Sequence, residues 1–224
     1  GSVTCTAGAA SQLAFTTQPS ASTVAGVAFA QQPRVAVQDA FGNTVTSSTA
    51  SVTLSGVAGL QGTVVVNAVN GVATFTGVNV TAVGTNLMLT ASSGALTSAN
   101  SSAFAITAGA ASASQSTVSV SPASVVADGS ASSTVTVTAK DANGNVVSGQ
   151  SVSFAVTSGN GTLSAGPWTT NPSGVATATV SSTTAGPVTV TAYLGTSSLG
   201  NAIAQTGSGT LTAGAAAQLA FTSQ

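Results

Sequence analysis

The chain ends on the segment with which it begins. Residues 1–18 read GSVTCTAGAASQLAFTTQ and residues 207–224 read GSGTLTAGAAAQLAFTSQ. Fourteen of the eighteen positions are identical, the exceptions being Val3/Gly209, Cys5/Leu211, Ser11/Ala217 and Thr17/Ser223. A single compact domain has no reason to open and close on one segment. A window cut from a tandem array does, because it shows one period, here 206 residues, plus an overlap. The sequence therefore predicts a piece of a longer protein whose job depends on repetition.

A weaker repeat divides the period in two. The string Ala7-Gly8-Ala9-Ala10 recurs as Ala108-Gly109-Ala110-Ala111 and again as Ala213-Gly214-Ala215-Ala216. Gln38-Asp39-Ala40-Phe41-Gly42-Asn43 matches Lys140-Asp141-Ala142-Asn143-Gly144-Asn145, and Asn70-Gly71-Val72-Ala73-Thr74 matches Ser173-Gly174-Val175-Ala176-Thr177. These steps have the size of one small domain. The expected organisation is the last strand of a preceding repeat in 1–6, a first domain in 7–107, a second in 108–212, and the first strand of a following repeat in 213–224. The Ala-Gly-Ala-Ala joints are too short for flexible tethers, so a semi-rigid string of domains is expected.

The local pattern is strand almost throughout. Thr134-Val135-Thr136-Val137-Thr138-Ala139 and Pro187-Val188-Thr189-Val190-Thr191-Ala192 alternate apolar and hydroxyl-bearing side chains, as a half-buried antiparallel sheet requires. Thr and Val are β-branched and favour the pleated backbone. Turn signals fall at strand-length intervals: Phe41-Gly42-Asn43, Asn70-Gly71, Asn143-Gly144, Asn160-Gly161 and Ser173-Gly174. About seven strands per hundred residues predict two-sheet sandwiches. The inward faces read as Val35 and Val37 with their counterparts Val137 and Ala139, and Ala73 and Phe75 with Ala176 and Ala178. Leu13 and Phe15, returning as Leu219 and Phe221, anchor the first strand. Trp168 reads as a cap on the second core.

Composition narrows function. The 224 residues hold two basic and three acidic side chains, no His and no Glu, yet 43% are hydrophobic, so each half can bury a core. Two cations cannot neutralise a phosphate backbone, so a nucleic-acid partner is disfavoured, and so is an anionic membrane surface. No apolar run is long enough to cross a membrane. The many serines have no base to activate them, and acid–base chemistry lacks its usual residues. The sequence thus predicts no enzyme, no catalytic, cofactor-binding or metal-binding residues, and no cofactor.

The few polar candidates have structural readings. Asp39 and Asp141 precede tight turns and read as acceptors for turn N–H groups, because a calcium loop needs several carboxylates and a distal Glu. Asp128 lies in an Asp-Gly turn. Strand parity points Lys140 outward, away from any internal amide crosslink, and Arg34 likewise reads as a solubilising charge. Cys5, the lone cysteine, stands where Leu211 does in the other copy and reads as a small apolar residue on a buried strand face. Asn79, Asn100 and Asn160 are Asn-x-Ser/Thr sequons. Trp168 and Tyr193 are what the chain offers a sugar ring.

These motifs resemble the bacterial immunoglobulin-like repeats of large surface adhesins of the invasin and intimin type. Ser119-Val120-Ser121-Pro122, Val126-Ala127-Asp128-Gly129, the run 135–145, Val152-Ser153-Phe154, the run 170–176 and the run 188–192 carry the likeness across residues 115–212. The first domain keeps Val-x-Asp-x-x-Gly-Asn and Asn-Gly-x-Ala-Thr. The resemblance implies an all-β fold of tandem immunoglobulin-like β-sandwiches in a repeat array. It implies an extracellular, cell-surface location and a non-catalytic stalk or spacer role.

The expected partners are neighbouring repeats of the same protein. The near-absence of charge adds the possibility of self-association into a fibre or sheath, since charge normally keeps β-rich proteins apart. If each sandwich is roughly 35–45 Å long, one period adds roughly 70–90 Å. The competing readings are a carbohydrate- or protein-binding adhesion module and, more remotely, ice binding through the Thr-x-Thr rows.

Overall fold

The computed structural model describes residues 1–3, 5–198 and 201–214. The chain divides into two compact units, Gly1–Ala108 and Gly109–Gln224. The returning strand 218–224, with Leu219 and Phe221, lies outside the described residues.

Unit 1 is built from β1 (Gln12–Thr17), β2 (Ser22–Val24), β3 (Arg34–Gln38), β4 (Ser51–Ser55), β5 (Leu60–Gln61), β6 (Val65–Asn67), β7 (Val72–Thr74), β8 (Asn79–Val80), β9 (Gly84–Leu87), β10 (Thr90–Ser92), β11 (Ala99–Asn100) and β12 (Phe104–Thr107). They assemble in the orders β1-β3-β7, β11-β10-β4-β6, β2-β12-β9 and β5-β8. Unit 2 holds β13 (Thr117–Ser121), β14 (Ser124–Val126), β15 (Ser133–Thr138), β16 (Ser151–Ser158), β17 (Thr162–Leu163), β18 (Trp168–Thr169), β19 (Val175–Ser181), β20 (Gly186–Leu194), β21 (Asn201–Ala202) and β22 (Gly207–Thr212). Its sheets run β13-β15-β19-β17 and β14-β22-β20-β16-β18, with β21 beside β20.

The two units share a plan. β1-β3-β7 corresponds to β13-β15-β19, with Val35 opposite Ala73 in one and Val137 opposite Ala176 in the other. In both, a short early strand pairs in parallel with the last strand: Val24 with Thr107, and Val126 with Thr212. The strands are shorter and more numerous than seven per unit. Register shifts between Phe15 and Thr17, between Phe104 and Ile106, and between Val156 and Ser158 interrupt the ladders.

Each unit buries its own core. In unit 1, Val35, Val37, Val52, Phe75, Val78, Val80 and Leu89 are fully buried, and Phe29 meets Phe104 edge-on at 5.2 Å. In unit 2, Val135, Val137, Ala139 and Ala192 are fully buried, and Ala176 and Ala178 lie beside them on β19. The alternation read from residues 134–139 is reproduced residue by residue, valines inward and threonines half-exposed. Burying such a Val or Phe stabilises by about 1.5–3 kcal/mol relative to exposure. Three positions break the parity, and one of them, Ser153, is buried between Val152 and Phe154 on β16. Ala36 is fully buried on the outward side of β3, where Ala14 and Val72 flank it. Thr191 is buried between inward neighbours and meets the Thr157 hydroxyl at 3.0 Å.

Of the hairpin signals, only Asn70-Gly71 takes positive φ at both residues, 50° and 76°. That is the geometry for which an Asn-Gly pair is favoured. At Gly161 the requirement is space, because a Cβ there would lie 2.8 Å from Val180 Cγ2 and 2.9 Å from Val188 Cγ2.

Candidate functional site

The most organised polar feature occurs twice. Asp39 follows β3 and Asp141 follows β15, and both are almost wholly buried. A buried carboxylate is tolerated only when hydrogen bonds replace its water. In unit 1, Asp39 Oδ1 accepts the backbone N–H of Phe41 at 2.9 Å and of Asn43 at 2.9 Å. The Asn43 side-chain amide donates to Oδ2 at 3.0 Å, and the backbone N–H of Gly8 donates to the same oxygen at 2.8 Å. In unit 2, Asn143 and Asn145 give their backbone N–H groups to Asp141 Oδ1, each at 2.9 Å. The Asn145 amide and the Gly109 N–H reach Oδ2, each at 3.0 Å. The two donors Gly8 and Gly109 are the glycines of the Ala-Gly-Ala-Ala joints. Each joint is therefore tied to its own domain by a carboxylate 31 or 32 residues further on. The sequence reading captured the turn but missed this tie. The signal was present in the nearly constant spacing between joint and Asp.

These bonds set the acidity of the carboxylates. The Asn43 amide, then the Gly8 N–H and the other turn donors, lower the pKa of Asp39 from 3.8 to about 2. At Asp141 burial works to raise the value, and the bonds from Asn145, Gly109 and Asn143 outweigh it, so the net direction is down. At Asp128 the N–H groups of Ala131 and Ser130 and the Ser130 hydroxyl lower it again. A depressed carboxyl contributes stability that is full above its unfolded pKa and is lost as pH falls through the folded one. A melting midpoint that is flat from about pH 8 to about pH 5 and falls between about pH 4 and pH 2 is therefore expected. Thermal melts across that range check it, and a large slope near neutrality would contradict it.

All three carboxylates thus serve nearby backbone. Arg34 is exposed, and Lys140, two residues past the end of β15, is half-buried. Its backbone N–H goes to Ser116 Oγ at 3.0 Å. Among the described residues no three potential metal-ligating side chains gather.

Trp168 packs edge-on against Phe154 at 5.1 Å and lies beside the unit 2 core. The space next to it, bounded by Ser151, Ser153, Pro167 and Thr196, measures 140 Å³. That is below the roughly 300–1,000 Å³ usual for ligand pockets. Tyr193 is half-buried opposite Ser153. A larger open groove of 630 Å³ is lined by small and hydroxyl-bearing residues, including Gly129, Gly159, Asn160, Thr162 and Ser182. Its lining has neither an aromatic nor a charged side chain. The sequons differ in exposure. Asn160 is exposed at a turn, Asn100 is exposed with its side-chain oxygen accepting the Thr90 hydroxyl, and Asn79 is half-buried with its amide on Gly77.

Cys5 requires a correction: it is exposed, not buried on a strand face. Its counterpart Leu211 is buried because β22 lies between β14 and β20. The described residues among 1–6 are in no strand and are exposed. An apolar position is buried only where neighbouring strands cover it.

Residues 115–215 match the family model of the bacterial Ig-like domain (group 1). Unit 2 is a bacterial Ig-like domain. Among solved structures, the chain resembles FdeC, an Escherichia coli adhesin, at 27% identity and a TM-score of 0.53, over 94% of this chain and 67% of that one. It resembles Yersinia pseudotuberculosis InvD at 23% identity and a TM-score of 0.53, over 93% of this chain and 60% of that one. Invasin, a bacterial integrin-binding protein, aligns at 25% identity and a TM-score of 0.47, over 91% of this chain and 40% of its own. The chain thus spans well under two thirds of the invasin structure and somewhat under two thirds of the InvD structure. No curated protein matches it. The matched stretch runs from before β13 to just past β22, and so takes in the Asp141 turn, the alternating β15 and β19, and the closing pair β14–β22. No described helix is long and apolar enough to cross a membrane.

Proposed function

We propose that this chain is a non-catalytic repeat segment of a long bacterial surface protein, and that it supplies length to an adhesin stalk. The observation that carries the reading is the joint. The sequence repeats with a 206-residue period, and each unit fastens its Ala-Gly-Ala-Ala joint to itself through a buried aspartate. A short joint fastened to the domain that follows it suits a spacer, whose task is length, and serves no catalytic step. The adhesin relative at 27% identity supports the surface setting. In this reading the carboxylates act on backbone rather than on substrate, and the ring of Trp168 is spent on Phe154 rather than offered to a sugar.

The test is to prepare proteins of one, two and three periods and to measure their length by electron microscopy, with light scattering across a concentration series. Length growing in proportion to the number of periods, with the particles monomeric, is the expected result. Repeats that collapse into a compact particle would overturn the stalk. Concentration-dependent filaments with lateral contacts would replace it with a self-associating fibre, which the scarcity of charge favours.

A further inference from the structure

The fold separates the three Asn-x-Ser/Thr sequons. Asn79 opens β8, its side-chain oxygen is buried, and its amide donates to the Gly77 carbonyl. Thr81, two residues on, gives its hydroxyl to the Gly59 carbonyl. Asn100 ends β11 and lies opposite Thr90, whose hydroxyl its side-chain oxygen accepts at 2.9 Å. Both amides are thus committed to sheet. Asn160 lies in no strand, between the end of β16 and the start of β17. It is exposed, and its side chain makes no hydrogen bond among the described residues. Thr162, which completes its sequon, is exposed as well, and its hydroxyl is equally unbonded.

Nothing in the turn itself asks for an asparagine at 160. The positive φ, 79°, falls on Gly159 and not on Asn160. Other turn asparagines have structural tasks: Asn70 takes a φ of 50°, and Asn171 Oδ1 accepts the N–H groups of Ser173 and Val175. Gly161 is set by packing against Val180 and Val188. Asn160 and Thr162 both line the open groove of 630 Å³, among Gly129, Gly159, Ser182 and Thr184. The space beside the free amide is therefore wide, uncharged and edged with hydroxyl groups, which suits a neutral, hydrated adduct.

We propose that Asn160 is a glycosylation site, its side-chain nitrogen bonded to a sugar for which the groove leaves room. The inference rests on the surface reading above. The donor is a sugar activated as its diphosphate ester, and a transferase of the cell joins the two. The bond from Asn160 Nδ2 to the anomeric carbon forms as the bond from that carbon to the diphosphate oxygen breaks. The diphosphate leaves with the electron pair, and one Nδ2 proton passes to a base of the transferase. The sugar then stands at the start of β17, the end strand of its sheet among the described strands. A bulky hydrated group there hinders pairing with another sheet, as charge does on most edge strands.

Mass spectrometry of the protein from the cells that make it tests the site. Intact cells are shaved with elastase, because the chain has only two basic residues for trypsin, and the remaining cells are then lysed and digested in the same way. The peptide holding Asn160 should be heavier by at least one sugar residue, and Asn160→Gln should abolish the added mass. The peptides holding Asn79 and Asn100 should have the masses of the bare sequence. An Asn160 peptide found only at its bare mass overturns the site, and so does a sugar on Thr162 or another hydroxyl in its place. Equal modification of Asn79 or Asn100 overturns the argument from the fold. The two digests keep the readings apart: a bare peptide in the shaved fraction removes the sugar and leaves the surface setting, whereas a peptide released only by lysis removes the surface setting whatever its mass.

Discussion

Replacing Phe75 with alanine should unfold unit 1 well before unit 2. Phe75 is fully buried and is among the bulkiest of the fully buried side chains. It follows β7 and packs into the cluster that holds Val35, Val37, Val78, Leu89 and the Phe29–Phe104 pair. Truncation removes the transfer energy of the ring and leaves a cavity that a β-sandwich cannot collapse, a loss of about 3–5 kcal/mol. For a domain of this size that is a fall in melting midpoint of at least about 12 °C. Calorimetry reads the whole chain, while fluorescence of Trp168, the single tryptophan, isolates unit 2. The expected pattern is a lowered calorimetric transition with the tryptophan transition unmoved. A tryptophan transition that fell by the same amount would show that the two cores do not act as separate cooperative units.

Asp141→Ala should produce the converse. The substitution leaves the backbone N–H groups of Gly109, Asn143 and Asn145 without their acceptor. Asn143 is exposed and Gly109 and Asn145 are half-buried, so water replaces part of what is lost, and the loss is put at about 1–3 kcal/mol. The Trp168 transition should move down and the unit 1 transition should stay. Asp141→Asn separates the turn from the joint. Its side-chain oxygen can still accept from Asn143 and Asn145, whereas its NH₂ faces the Gly109 N–H, donor against donor. The Asn variant should therefore keep part of the stability and lose protection of the Gly109 amide against hydrogen exchange. Retained protection at Gly109 would mean that the joint is held by something other than the carboxylate.

Much of this architecture could be read before any coordinates because the sheets are simple. Where Thr and Val alternate, the pleat alone decides which side chain goes inward, and Val135, Val137, Ala176 and Ala178 are buried as their parity requires. Parity fails where a third element or a small residue intervenes. Ala36 is small enough to be covered from the outward side, and Thr191 is buried because it finds a hydroxyl partner. Cys5 shows a different limit. Its position in the repeat was read correctly as that of Leu211, but burial belongs to the neighbouring strands and not to the residue. The tie from Gly8 to Asp39 was hidden for a related reason. It links a loop glycine to a side chain 31 residues away, and no local pattern of either segment announces it.

The closing pair of unit 2 also decides how the domain answers force. β14 and β22 run in parallel, with Ser124 beside Thr210, Val125 beside Leu211 and Val126 beside Thr212. β13 lies between β14 and the amino-terminal end and is held to β15, so a pull on the ends reaches β14 once β13 has come away, and it then draws β14 and β22 in opposite senses along a shared axis. The bonds between them are then sheared together instead of being opened one after another, as they would be in an antiparallel hairpin pulled at its open end. β2 and β12 repeat the arrangement in unit 1. A tether made of such domains would bear load at every link, and its resistance would come from strand direction rather than from the strength of any single bond.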